Sequence, residues 1–301
     1  DIKELRSYMR LREDHIRSAS MHINHMQKAL TEMNIRLKEV LSQIQGKSGL
    51  TIIEAILAGE RDKDVLVNLC HGSILKNKKE LILKSLQGRY SSTGLFALKQ
   101  AYEAYLFYNN QIKECDSQVN RVVNRMGDYG NEQLETRSRK PIRHHKPKIE
   151  KFGSNMLSIF DGKDATLISG ITDYTWLQLL SETGRDLTKW TTEKHFTSWL
   201  GLAPGQNNSG NKRKRPRKKG RPAAGQIFRI IAQSLINSKD IAIGAYGRRL
   251  RARKGPSIAI KAMARKLAEL YWRTMVKGLD YAEYGVKMRK QMPFCVGIAS
   301  K

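Results

Sequence analysis

DIKELRSYMRLREDHIRSASMHINHMQKALTEMNIRLKEVLSQIQ (1–45) decides the fold class. Ile2, Leu5, Met9, Ile16, Ile23, Met26, Leu30, Ile35, Leu37, Leu41 and Ile44 recur mostly at three- and four-residue steps, and no Gly or Pro interrupts them. That period places the apolar side chains on one stripe of an α-helix. The spacing predicts a long amphipathic helix, bent near Asn34 and ended by Gly46 and Gly49. A second helix is predicted from about Leu50 to Ala58, stopping at Gly59. His22 and His25 are three apart and can meet on one helical face. A metal site needs further ligands, and none is spaced to join them.

The same reading continues downstream. Asp64 is a candidate N-cap for one of two helices expected between residues 62 and 127. The stretch GRYSSTG (88–94) reads as a turn. Leu98, Tyr102, Tyr105, Leu106, Ile112, Val119, Val122, Val123 and Met126 form a further stripe. It reads as a helical hairpin, or as a coiled-coil arm that pairs with a second copy. The tyrosines Tyr102, Tyr105 and Tyr108 keep helical spacing, which favours a core or interface role over base stacking. Residues 128–163, including RSRKPIRHHKPKIEK (137–151), are dense in charge and carry Pro141 and Pro147. Such a segment buries too little to fold alone. It is a solvated tether, or one that tracks a phosphate backbone.

Charge sets the class of partner. The 301 residues contain 55 Lys plus Arg against 28 Asp plus Glu, a formal net charge of +27. That excess calls for a polyanion, nucleic acid before a membrane surface. No run of about 18 apolar residues is present, so no membrane partner is expected. The first residue is Asp and no signal peptide is visible, so Asp1 is not expected to be a natural start. Cys70, Cys115 and Cys295 are far apart and form no CxxC pair, which fits a reducing cytoplasm and argues against a disulfide scaffold or structural zinc.

A second compact region is expected over 164–285. TLISGITDYTWLQLLSETG (166–184) has the pattern of a helix-hairpin-helix, in which Gly170 and Thr172 would offer a hairpin phosphate contact at a helix start. Plain packing is the alternative for one such hairpin. Trp190, Phe196, Trp199 and Leu200 read as core contacts, and QIFRIIAQSLI (226–236) as a buried helix. Between them lies FTSWLGLAPGQNNSGNKRKRPRKKGR (196–221), with eight Lys or Arg in the ten positions from Lys212 to Arg221. Ser209 stands on a Gly/Asn loop beside that run. This is how a hydroxyl is presented to a phosphodiester, although Gly, Pro, Asn and Ser are also the default residues of a surface turn. Lys212, Arg213, Lys214, Arg215, Arg217, Lys218 and Lys219 are candidates for holding a nucleic-acid backbone. Arg248, Arg249, Arg253 and Lys254 form a second basic cluster near a helix end. Lys266 lies within a helix predicted over 257–276. Arg248, Arg249 and Lys266 are the candidates for offsetting charge at a reacting phosphate.

Five stretches together carry a resemblance to a family. They are DIKELRSYMRLRE (1–13), NIRLKEVLSQIQGKSGLTIIEAILAGE (34–60), the run from Ser169 to Lys212, GAYGRRLRARKG (244–255) and AIKAMARKLAELYW (259–272). In order and spacing over about 1–285 the chain resembles transposases of insertion-sequence family 110, in its 1111-like branch. The resemblance implies a mainly α chain. A helical and coiled-coil section is expected at 1–61 (long helix and linker helix) and 62–127, with a basic linker at 128–163. A mostly helical C-terminal transposase domain with a helix-hairpin-helix-like start would follow at 164–285, and a cut tail at 286–301.

It further implies a DNA recombinase whose serine attacks DNA and becomes transiently joined to it. The family's serine precedes Gly in the loop after GLAP, which here is Ser209, followed by Asn211 where a second glycine is usual. Such enzymes are understood to use a structured guide RNA to choose element ends and target DNA, and to act as homo-oligomers, dimer or tetramer, through the coiled coil. They carry an N-terminal RuvC-like domain with four metal-binding acids. That domain would precede residue 1, so Mg²⁺ is expected for the complete enzyme and none bound by this chain. The fragment alone is expected to be inactive. A bacterial cytoplasmic, nucleoid-associated location is implied. The alternative is a non-catalytic basic remnant that binds DNA or RNA as a dimer.

Overall fold

The computed structural model describes residues 1–127, 147, 149–204, 208–209, 212–213, 222–238 and 241–278, the side chains of 208–209 and 212–213 excepted. The described residues are mainly α-helical, as expected. They fall into two compact units, one of residues 10–117 and one of 1–9 with 118–301.

In the unit of residues 10–117, α1 (Ile2–Glu32) buries Ala19, Ile23, Met26 and Leu30 along its stripe. The helix stops at Glu32 rather than bending on to residue 45. Asn34 adopts φ +58°, a left-handed conformation that Asn tolerates and that ends helical hydrogen bonding. Two short helices follow, α2 (Leu37–Val40) and α3 (Lys47–Leu57). The predicted pair over 62–127 is three helices: α4 (Lys63–Asn68), α5 (Gly72–Ser85) and α6 (Ser92–Gly127). The cap of α4 is Asp62, not Asp64; the Asp62 carboxylate accepts from the Asp64 N–H at 2.9 Å. The α1 stripe has a seven-residue gap between Met9 and Ile16, and Arg12 fills the seam there. Its side chain is 1% exposed and its Nε donates to the Asp116 carboxylate on α6. Cys70 and Cys115 are buried free thiols, and burial pushes both thiols up in pKa.

The other unit takes the first turns of α1 and the last turns of α6, and its next helix is α7 (Phe152–Ile159), inside the stretch expected to be linker. Phe152, Met156 and Leu157 are buried, because the FGSNMLSI segment is apolar where the preceding charge run is not. Most of that charge run, 128–146 and 148, lies outside the described residues. The helix expected before Gly170 is a single 3-10 turn (Ala165–Leu167), started by the Asp164 carboxylate. Then come α8 (Asp173–Thr183) and α9 (Glu193–Trp199). Next is an antiparallel pair, β1 (Asn208–Ser209) and β2 (Lys212–Arg213), followed by α10 (Ala223–Leu235), α11 (Ala242–Lys254) and α12 (Pro256–Lys277).

Helix α12 is the centre of this unit, with α9, α10 and α11 all packed on it. Phe196 of α9, Phe228 of α10 and Tyr271 of α12 meet there, with ring centroids 5.7–6.4 Å apart. All three are fully buried. Truncating one to Ala would cost about 3–5 kcal/mol. Trp199 departs from expectation. It leans on Trp190 at 4.8 Å but remains 41% exposed, because it sits at the last turn of α9 facing out.

Glu193 and Arg273 tie α9 to α12 by a two-pronged ion pair, Arg273 Nε donating to one carboxylate oxygen and Nη2 to the other. Arg273 holds the Glu193 carboxyl below its usual value of 4.5, chiefly by that hydrogen bonding. A depressed acid stabilises the fold above its unfolded pKa and loses that contribution as pH falls through the folded one. Urea unfolding of the Arg273→Ala variant should therefore show lower stability at pH 7. The gap from the parent should narrow as pH falls below about 4.5. An unchanged gap at low pH would assign the loss to packing instead.

Candidate functional site

The segment carrying Ser209 leaves and rejoins its unit at one place. Helix α9 closes in a Schellman motif: the Gly201 N–H donates to the Ser198 carbonyl and the Leu202 N–H to that of Thr197, both at 3.0 Å. Gly201 takes φ +67°, the left-handed conformation this motif requires. Leu202 is buried as the motif's apolar anchor. On the returning side, Pro222 caps α10, and Gly225 lies directly against the end of α9. A Cβ on Gly225 would stand 2.2 Å from the Leu200 carbonyl oxygen. Arg229 donates to the Gly201 carbonyl at 3.2 Å. The two ends of the excursion are thus fixed to each other by backbone contact.

Within the excursion, β1 and β2 pair with Asn208 opposite Arg213 and Ser209 opposite Lys212. The composition of this stretch suggested an irregular loop instead. Gly210 and Asn211, the two residues between the strands in sequence, are types that suit a two-residue hairpin connection. The backbone of Ser209 thereby has a defined cross-strand partner in Lys212. Lys214, Arg215, Arg217, Lys218 and Lys219 lie outside the described residues, as do the side chains of Lys212 and Arg213.

The other candidates divide into exposed and engaged. Arg249, Arg253 and Lys254 are exposed on α11, the last two in its final turn, where cations are favoured. Arg248 turns back and donates to the carbonyls of Ile236 and Ser238, closing the C-terminus of α10. Gly244 lets α11 approach that end, since a Cβ there would be 2.6 Å from the Ser238 carbonyl oxygen. Lys266 pairs with Glu269 at 3.1 Å, and Glu269 also takes Arg265 at 3.0 Å. At the expected hairpin, the Thr172 hydroxyl accepts from the Thr175 N–H, and the Thr172 N–H donates to the Thr175 hydroxyl at 2.7 Å. This capping box already uses the N–H and the hydroxyl of Thr172. Gly170, with φ +87°, packs on α10, where a Cβ would meet Ile231 at 2.7 Å.

His22 and His25 do meet, with centroids 5.4 Å apart, and burial followed by His25 lowers the His22 pKa. Among the described residues, no three of His, Cys, Asp or Glu come together as a metal-binding group.

Residues 165–247 match the family model of Transposase IS116/IS110/IS902. The match runs from the 3-10 turn through α8, α9, the Ser209 excursion and α10 into α11. It supports an insertion-sequence transposase with DNA as its partner. No curated protein and no solved structure matches the chain. Among the described residues no helix is long and apolar enough to cross a membrane.

The residues that anchor the transposase-like excursion, Leu202, Gly225 and Arg229, were not singled out by sequence reasoning. The signals for them in the sequence are a glycine inside an otherwise apolar helical run and the Gly-Leu pair closing α9.

Proposed function

We propose that this chain is the serine-bearing part of an insertion-sequence DNA recombinase, with Ser209 as the nucleophile. The observation that carries the reading is the position of Ser209. It lies in a short hairpin within the matched segment, on an excursion with a fixed base, next to a run of cations. A serine hydroxyl so placed would attack a DNA phosphorus. The Oγ–P bond forms, the bond from phosphorus to one deoxyribose oxygen breaks, and that oxygen leaves as a hydroxyl, taking up a proton as the serine gives one up. One phosphate ester replaces another, so the strand can be rejoined by the reverse attack of a free hydroxyl without a nucleotide energy source. Cations from the Lys212–Arg221 run and from exposed Arg249 would draw the phosphate in and offset its charge.

A serine hydroxyl at neutral pH needs a base, a metal or both. In this reading the four acids of a Mg²⁺ site belong to a RuvC-like domain outside residues 1–301, and the chain alone does not transfer strands. A structured RNA supplies target choice. Copies assemble through α1 and α6, where Leu11, Met21, Phe96 and Phe107 are exposed apolar residues. The setting is bacterial cytoplasm, on nucleoid DNA.

Replacing the seven Lys and Arg from Lys212 to Lys219 by Gln tests the DNA-gripping role. Binding of a DNA duplex, read by fluorescence anisotropy, should weaken, and the salt slope should flatten by about 0.9 for each phosphate no longer neutralised. An unchanged slope would remove this run from the interface.

A further inference from the structure

We propose that the unit of residues 10–117 carries its own binding surface for the backbone of double-stranded DNA, formed by Arg36, Lys84 and Arg89. The inference rests on the reading above for DNA as the partner, but it uses residues outside the matched segment.

Two distant parts of the chain cross there. The Arg36 N–H donates to the Ser85 carbonyl at 2.9 Å, and the Arg89 N–H donates to the Met33 carbonyl at 2.8 Å. Gly88 permits this approach, because a Cβ there would meet the Met33 carbonyl oxygen and the Ile35 side chain, each at 2.5 Å. The crossing therefore fixes the backbones of Arg36, Lys84 and Arg89 within a few residues of one another. Lys76 and Lys79 precede Lys84 on α5 by eight and five residues, which sets them about 80° and about 140° round the helix from it. All five of these cations are exposed. Over residues 76–89 the Lys and Arg are Lys76, Lys78, Lys79, Lys84 and Arg89, against one carboxylate, Glu80.

Some cations elsewhere in the described residues are engaged by carboxylates: Arg12 by Asp116, Arg125 by Asp1 and Glu4, Arg273 by Glu193. Among the described residues, Arg36, Lys84 and Arg89 have no such carboxylate partner. Leaving several like charges together on a surface destabilises the chain slightly through self-repulsion, and a polyanion relieves it. The backbone crossing beneath them matters because prepositioned cations lose less freedom on binding. Helix α5 carries no aromatic residue, so it offers no platform for stacking unpaired bases. Contact with the phosphates of a duplex is the chemistry that remains.

The test uses the full chain and a 30-base-pair duplex DNA, with anisotropy measured across a salt series. The triple variant R36Q/K84Q/R89Q should flatten the slope of log K against log salt by about 2.7, that is about 0.9 for each of three phosphates. Its circular dichroism should match the parent, since all three side chains are exposed. The Gln variant of the Lys212–Lys219 run, measured in parallel, reports on the serine segment alone. Weakening confined to that second variant overturns the present proposal and leaves the functional reading intact. Weakening in the triple variant alone supports this surface and counts against the serine segment as a DNA grip. Weakened binding of an RNA duplex of equal length, with DNA binding unchanged, also overturns it.

Discussion

Ser209→Ala should abolish strand cleavage and transfer, by at least about 10⁴-fold, in the recombinase proposed above, assembled with the acid-bearing domain and guide RNA that this reading calls for. DNA binding should stay within about twofold. The asymmetry follows from what one hydroxyl does. In that reading, removing Oγ deletes the atom that would bond to phosphorus. The cations that bring the DNA in are untouched, so the encounter survives. Rates of cleavage and anisotropy titrations on the same preparation separate the two effects. A variant that still cleaves would strip Ser209 of the role while leaving the charge argument standing.

Gly225→Ala should be among the most destabilising single changes in its unit, about 3 kcal/mol by urea unfolding. The added methyl would stand 2.2 Å from the Leu200 carbonyl oxygen. That oxygen belongs to backbone held by the closing turn of α9, so it cannot swing aside as a side chain can. Relief requires moving α9 off α10, which opens the packing of Phe196, Phe228 and Tyr271. The same shift would displace the base of the Ser209 excursion, so catalysis should fall in the surviving folded fraction too. Gly72→Ala is the matched control, because nothing lies within 4 Å of a Cβ there. It should be neutral or gain about 0.4–1 kcal/mol through the unfolded chain. Similar losses in both variants would show that helix propensity, not the close approach, sets the cost.

Much of the helical architecture was legible because periodicity reports burial directly. The stripe from Leu5 to Leu30 and the run from Gln226 to Ile236 each buried the face that the spacing indicated. Boundaries were less legible, and for identifiable reasons. Asn34 has the composition of a bend, but its left-handed backbone ends α1 outright. Asp62 and Asp64 are both good caps, and only the hydrogen bond distinguishes them. FGSNMLSI is apolar yet follows a charge run, so its helix is easily absorbed into a linker. Trp199 has a core residue's chemistry but an exposed position, which composition cannot reveal.

The candidate site was legible in type more than in arrangement. A serine beside a basic run is visible in the letters. The pairing of Ser209 with Lys212 is a matter of register, and the meeting of Leu200 with Gly225 joins two helices. Arg248 and Lys266 show the converse difficulty. As letters they are cations near a basic cluster, whereas in the structure Arg248 closes α10 and Lys266 pairs with Glu269. A sequence counts charges without showing which are already spoken for.

The most direct measurement of the central claim is capture of the protein–DNA intermediate. The assembled enzyme is incubated with DNA carrying its target site, quenched in denaturant, digested with protease and analysed by mass spectrometry. The account predicts a peptide spanning Asn208 to Lys212 that carries a nucleotide adduct on the Ser209 oxygen, and its absence in the Ser209→Ala variant. Cleaved DNA with no protein adduct, or an adduct on a different residue, would contradict it.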